Sequence, residues 1–175
     1  LFPYTTLFRS CIANLPYACS SVFLARLIET APRASACFVL LQREMAERLA
    51  APPGSKAYGA LSVRIQLRYA VTVLRQVPPN VFFPPPEVGS AFVRLAALPE
   101  APPLELQRRA ADLAGVAFAQ RRKKAARLLA AACGEEPVRA AFAGLGLAED
   151  IRAERISPAI FARLAACLPA APPTY

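Results

Sequence analysis

Apolar and polar positions alternate along the first hundred residues in a way that predicts strand and helix by turns. Cys11 to Leu15 is a short apolar stretch, expected to be a buried strand that ends in Asn14-Leu15-Pro16-Tyr17. Ser20 or Ser21 can cap a helix running to about Glu29, with Val22, Leu24, Leu27 and Ile28 as its apolar face. Ala36 to Leu41 is a continuous apolar run of strand length, the pattern of a strand in the middle of a parallel sheet. It leads through Gln42-Arg43-Glu44 into a helix to about Ala50, which Pro52-Pro53-Gly54 ends. This alternation is that of an α/β sheet.

Further on, Ser55 to Gly59 reads as a polar loop, Ala60 to Leu67 as a helix and Tyr69 to Val77 as an alternating strand. Pro78 to Pro86 is a stiff, partly polyproline-like loop carrying Phe82 and Phe83. Val88 to Leu95 is expected to be the last strand, antiparallel to the one before it. A Pro/Ala-rich stretch ending at Pro103 then marks a change of class. Beyond it the pattern predicts helices alone, over Leu104–Ala119, Gln120–Cys133, Val138–Gly144 and Pro158–Leu168. Ser157-Pro158 is a good helix start, with serine as N-cap and proline in the first helical position.

Composition narrows the chemistry. At 175 residues with 55% apolar and 19% charged side chains, the chain can bury one good core or two small ones. No apolar stretch is long enough to cross a bilayer. The net charge of +9 favours a polyanionic partner, nucleic acid before membrane, because the cations cluster instead of lining one long amphipathic helix. An Arg- and Ala-rich composition can equally reflect a GC-rich genome. The chain has no histidine, which excludes a Ser-His-Asp triad, a Cys-His dyad and His-ligated zinc. Its five cysteines show no C-x-x-C spacing and read as reduced, buried thiols of a cytoplasmic protein.

Two segments carry candidate chemistry. In the tetrapeptide, the Asn14 carboxamide and a turned-out main-chain carbonyl can each accept a hydrogen bond from an exocyclic amine. Pro16 stiffens the turn, and Tyr17 offers a flat surface for an extruded base. The four residues alone read equally well as a strand ending in a proline turn with a packed tyrosine. Phe82 and Phe83, taken alone, read as packing. Arg121, Arg122, Lys123 and Lys124 form the densest charge run. It is either a solvated helix start or a phosphate contact, with at least two of the four pointing away from a core.

Taken in order, several motifs resemble those of the KsgA/RsmA adenine dimethyltransferases, which act on small-subunit ribosomal RNA. They are Asn14-Leu15-Pro16-Tyr17, Leu41-Gln42-Arg43-Glu44, Ser55-Lys56-Ala57-Tyr58-Gly59 with Leu61-Ser62-Val63, and Val77-Pro78-Pro79. Phe82 before Pro84-Pro85-Pro86, Val88 and Ser90-Ala91-Phe92-Val93-Arg94-Leu95 follow. Phe118-Ala119-Gln120-Arg121-Arg122-Lys123 and Arg152-Ala153-Glu154-Arg155-Ile156-Ser157 complete the set, which covers about residues 11–168.

The resemblance implies the C-terminal part of a Rossmann-like S-adenosylmethionine methyltransferase domain followed by a small all-α domain. On that reading residues 11–98 are a partial methyltransferase domain, 99–103 a linker and 104–175 the helical C-terminal domain, with 1–10 a leader not native to the protein. The implied activity is N6,N6-dimethylation of two adjacent adenosines in a small-subunit rRNA hairpin, during ribosome maturation. The implied site is Asn14, Leu15, Pro16, Tyr17 and Phe82. Asn14 and the Leu15 carbonyl hold the amine, Tyr17 and Phe82 cover the two base faces, and Asn14 borders S-adenosylmethionine. Phe83 receives no role. Lys56 and Arg121 to Lys124 are the expected RNA contacts, and no metal or membrane is expected. A monomer in the bacterial cytoplasm is implied.

The family's Gly-rich cofactor loop and acidic ribose-binding residue have no counterpart in this sequence, and Ala18 and Cys19 differ from its more polar continuation. The chain therefore reads as keeping the base side of the site and lacking most of the cofactor side, with little activity of its own. Two other functions stay open: a non-catalytic rRNA-binding or ribosome-assembly factor, and a large-subunit rRNA adenine methyltransferase. A pseudogene or assembly artefact without function is a third reading.

Overall fold

A computed structural model of the chain describes residues 10–29 and 34–171. Apart from Ser10, the expected leader lies outside these. The chain divides into two compact units, residues 1–50 with 68–101, and residues 51–67 with 102–175. Each has its own secondary structure and core.

In the first unit, β1 (Ser10–Asn14), β2 (Ala36–Gln42), β3 (Tyr69–Val77) and β4 (Ser90–Ala97) form a four-stranded sheet in the order β1-β2-β4-β3. β1 runs parallel to β2, while β4 is antiparallel to both β2 and β3. The expected antiparallel partnership of the last two strands is present. The unforeseen feature is that β4 inserts between β2 and β3.

That insertion also corrects the reading of Ala36–Leu41 as the middle of a parallel sheet. β2 is parallel on one side only, and its burial alternates. Cys37, Val39 and Leu41 meet Ala91, Val93 and Leu95 of β4 on the fully buried face. Phe38, Leu40 and Phe92 lie on the other, half-exposed face, where the Phe38 and Phe92 rings stack with centroids 6.2 Å apart. Such diagonal cross-strand aromatic pairs stabilise a sheet beyond simple burial.

Two helices complete the unit, α1 (Ser20–Glu29) and α2 (Arg43–Ala50). Leu24 and Ile28 of α1 are buried at i,i+4 spacing, whereas Val22, expected on the same face, is 62% exposed. At 3.6 residues per turn, Val22 stands about 200° around the helix from Leu24 and cannot share its face. α2 buries Ala46 and Leu49 and lies against β3 and β4. The buried Arg68 guanidinium closes the α1 end by donating to the Ile28 carbonyl at 2.5 Å.

The second unit consists of helices, α3 (Ala60–Gln66), α4 (Leu104–Phe118), α5 (Ala125–Cys133), α6 (Glu135–Leu145) and α7 (Pro158–Cys167). α4 contacts α3, α5 and α7, so its Ala110, Leu113, Ala114 and Ala117 lie at the centre of the core. Residues 51–67 belong to this core through Tyr58 and Val63, although they precede β3 in the chain. Tyr58 is fully buried, donates its hydroxyl to the Ile156 carbonyl at 2.9 Å and meets Phe118 edge-on. Burial pushes its pKa well above the usual phenol value.

Helix ends follow the local sequence. Ser157 caps α7 by accepting from the Ile160 N–H, with Pro158 next, as expected. Gly134 joins α5 to α6 at φ +92°, a conformation that favours glycine. The third helical segment is longer than expected, beginning at Glu135, whose carboxylate and that of Glu136 suit a helix N-terminus. The second is shorter: α5 starts at Ala125 and not at Gln120. Four cations are poorly placed at the positive end of a helix dipole. The backbone over them turns instead, with the Lys123 N–H bonded to the Gln120 carbonyl at 2.9 Å.

Candidate functional site

β1 delivers Asn14 at its carboxyl end, directly opposite Leu40 in the parallel register. Because Ile12 and Asn14 are two residues apart, they share the half-exposed face of the sheet with Phe38 and Leu40. The carboxyl ends of parallel strands are where open α/β sheets receive ligands.

Past Asn14 the chain turns sharply. Pro16 sits at φ −55° and ψ 135°, and its carbonyl accepts from the Cys19 N–H at 2.9 Å, closing a single 3-10 turn over Tyr17–Cys19. The part Pro16 plays is therefore to shape the turn. Tyr17, half-buried, shares a hydrogen bond of 2.6 Å with the hydroxyl of Ser90 at the start of β4.

The loop from Pro78 to Gly89 brings the second half of the site. Asn14, Leu15, Pro16 and Tyr17 line one cavity together with Phe82, so the five residues singled out from the sequence are gathered in one place. The cavity has a volume of about 350 Å³, and Leu40, Phe83, Pro84 and Pro86 complete its lining. Phe82 is half-buried, whereas Phe83 is 100% exposed at the rim. The sequence names Phe83 without giving it a role, and does not mark Leu40. Leu40 was hidden because a continuous apolar run does not reveal which of its residues share a face with Asn14.

The cavity carries no carboxylate, amine or guanidinium among its lining residues. Recognition there rests on neutral hydrogen bonds and on the faces of rings, which suits a flat, uncharged heterocycle. Cys37, on the buried face of the same sheet, has its pKa pushed up to about 11 by burial and the adjacent Cys11, and stays a thiol at neutral pH. Among the described residues no cluster of cysteine and acidic side chains could hold a metal ion.

In the helical unit the basic run forms the loop between α4 and α5. Arg122, Lys123 and Lys124 are exposed. Arg121 is committed internally: its guanidinium donates to the Lys56 and Tyr58 carbonyls, each at 3.0 Å, and lies 3.8 Å from a Glu154 carboxylate oxygen. This contact brings Lys56, itself exposed, beside the basic loop. Lys56, remote in sequence, is thus brought next to four consecutive cations.

Comparison with known proteins gives the family and the fold. A family model described as ribosomal RNA adenine dimethylase matches residues 8–169. The chain is 43% identical over 155 residues to ribosomal RNA small subunit methyltransferase A of Xanthomonas campestris pv. campestris (strain B100), covering 88% of the chain and 58% of that protein. The protein of the same name from Xanthomonas oryzae pv. oryzae (strain PXO99A) is 42% identical over 160 residues, 91% of the chain and 60% of that protein. The chain thus spans less than two thirds of the length of these relatives.

Among solved structures, a dimethyladenosine transferase from Plasmodium falciparum superposes with a TM-score of 0.74 at 21% identity, over 96% of the chain and 70% of that structure. The 23S rRNA methyltransferase ErmE superposes with a TM-score of 0.66 at 22% identity, over 91% and 64%. The fold is accordingly the Rossmann-like methyltransferase fold.

Proposed function

The chain belongs to the ribosomal RNA adenine dimethylase family, and from that premise we propose that it carries the adenine-binding part of an enzyme that dimethylates N6 of two adjacent adenosines in a small-subunit rRNA hairpin. The observation that carries this reading is the gathering of Asn14, Leu15, Tyr17 and Phe82 around one uncharged cavity at the end of β1. The relatives at 42–43% identity carry a small-subunit name, which favours that subunit over the large one.

The chemistry asked of these residues is orientation. An adenine N6 lone pair is delocalised into the ring and is a poor nucleophile. The Asn14 carboxamide oxygen and the Leu15 carbonyl accept from the two amine hydrogens and turn the lone pair out of conjugation. Tyr17 and Phe82 hold the base between them, so that the amine keeps its position through the reaction. The same acceptors stabilise positive charge as it develops on nitrogen. No strong general base is needed, in keeping with a chain that has no histidine.

S-adenosylmethionine is the donor the family implies, and when bound it supplies an electrophilic methyl group. The cavity fits the acceptor base and only the edge of such a donor. Asn14, exposed at the strand end, is the residue that would border it, while no lining carboxylate is at hand for its ribose hydroxyls. Lys56, Arg122, Lys123 and Lys124 are assigned to RNA phosphates, and Arg121 to holding that surface together. The division into residues 11–98, 99–103 and 104–175, with 51–67 packing in the helical unit, a monomeric state and a cytoplasmic location belong to the same proposal.

The test is methyl transfer by the full-length enzyme to two substrates, small-subunit particles and naked large-subunit RNA. Dimethyladenosine in the small-subunit RNA alone is expected. Modification of the large-subunit RNA alone overturns the proposal, and so does RNA binding without any transfer.

A further inference from the structure

Ser90 is a buried hydroxyl that the adenine-binding reading leaves without a purpose. It is 1% exposed and opens β4, where it stands opposite both Gln42 of β2 and Val77 of β3. A hydroxyl in such a place costs stability unless it is hydrogen-bonded. Its partner is the Tyr17 hydroxyl at 2.6 Å, at the short end of the O–H···O range.

From this contact we infer that Ser90 is a positioning residue for the Tyr17 ring, acting on the methylated base through it. The inference rests on the reading of Tyr17 as a stacking surface and goes further, in naming what aims that surface. The Cα end of Tyr17 is fixed by the turn that the Cys19 N–H closes onto the Pro16 carbonyl. The far end is fixed by Ser90, which the sheet holds from both sides. A ring tied at both ends keeps its long axis fixed: it can turn about χ2 but cannot swing away about χ1. The position the ring holds beside the cavity is therefore set by the sheet.

The contact also bears on how Tyr17 acts. Its hydroxyl is bonded to Ser90, which leaves the ring face as the part of Tyr17 turned to the base. Conversely, Ser90 lies outside the cavity lining and reaches the base only through Tyr17.

The experiment is a double-mutant cycle in the full-length enzyme, read as single-turnover methyl transfer per folded active site, with RNA affinity measured alongside. Tyr17→Phe keeps the ring and removes the contact from the cavity side. Ser90→Ala removes it from the sheet side. Each is expected to slow transfer on the order of tenfold, as loss of alignment does, with RNA affinity within about twofold because phosphate contacts dominate it. The double variant is expected to be no slower than either single one.

Multiplicative losses in the double variant overturn the inference, as does Ser90→Ala at the wild-type rate. Should Ser90→Ala fail to fold by thermal melting, Tyr17→Phe alone decides, and a wild-type rate for it overturns the inference. Tyr17→Ala separates the two levels. If it transfers methyl groups at the wild-type rate, the stacking reading itself has failed. If it is severely impaired while Tyr17→Phe is not, stacking stands and the role of Ser90 falls.

Discussion

The guanidinium of Arg121 donates to the main-chain carbonyls of Lys56 and Tyr58, each at 3.0 Å, and so fastens the 55–59 loop to the turn after α4. A residue in the densest run of positive charge is thereby spent on holding the protein together. Its proximity to Glu154 adds little, since an ion pair at 3.8 Å between partly exposed groups is weak.

Within the basic run, stability and RNA affinity are therefore expected to separate. Arg121→Ala removes two hydrogen bonds from a charged donor and should lower stability by about 1.5–3 kcal/mol, seen as a lower melting temperature. Arg122→Ala and Lys123→Ala should leave melting unchanged. Each should weaken binding of the small-subunit hairpin RNA and reduce the salt slope of log K by about 0.7–0.9, as one lost phosphate contact does. Equal effects of all three variants on melting and on the salt slope would contradict the division.

Asn14 should show the opposite separation to Arg121. It is exposed at the end of β1, so Asn14→Ala is expected to change stability by less than about 0.5 kcal/mol. In the full-length enzyme it removes one of two acceptors on the reacting amine, and transfer should fall on the order of a hundredfold. Undiminished modification of the ribosomal target by this variant would end the proposal for the site.

The buried thiol gives a prediction in alkaline solution. The pKa of Cys37 rises from an ordinary thiol value of 9.0 to about 11 in the folded chain. The folded state thus holds this proton more tightly than the unfolded one, and stability falls with pH wherever only the unfolded thiol has ionised. Its contribution is fully present below pH 9 and is lost as pH rises through about 11. Cys37→Ala should flatten the decline of the melting temperature over that window relative to the wild type. At pH 8 a thiol reagent should label exposed Cys19 and Cys167 quickly, and Cys37 only on unfolding.

Much of the site was legible because its parts are short and local. The tetrapeptide and the Phe82 position could be named from the sequence, and the structure lines one cavity with both. The features that escaped are those set by distant partners. The alternation within Ala36–Leu41 is invisible in an unbroken apolar run, and only the register with Asn14 marks Leu40. Ser90 was visible only as part of a motif, because nothing local marks a serine whose partner lies more than seventy positions earlier. The hydrophobic pattern puts the basic run at a helix start, yet the helix dipole and the Arg121 contacts make it a turn. Tyr58 escaped likewise: a polar-looking loop carries one of the most buried rings of the helical core.

The open face of the sheet makes a last, separate expectation. Ile12 is 79% exposed on β1, an edge strand among the described residues, and in register beside it stands Phe38, which stacks on Phe92. An apolar edge with unpaired backbone groups is a template for pairing with another chain. The 175-residue chain should therefore self-associate as its concentration rises, measured by sedimentation velocity. Ile12→Lys places a charge on the exposed edge without touching the buried Cys37–Leu41 face, and should shift the distribution towards monomer at an unchanged melting temperature. A wild-type chain that stays monomeric at high concentration would show instead that this edge is already protected in solution.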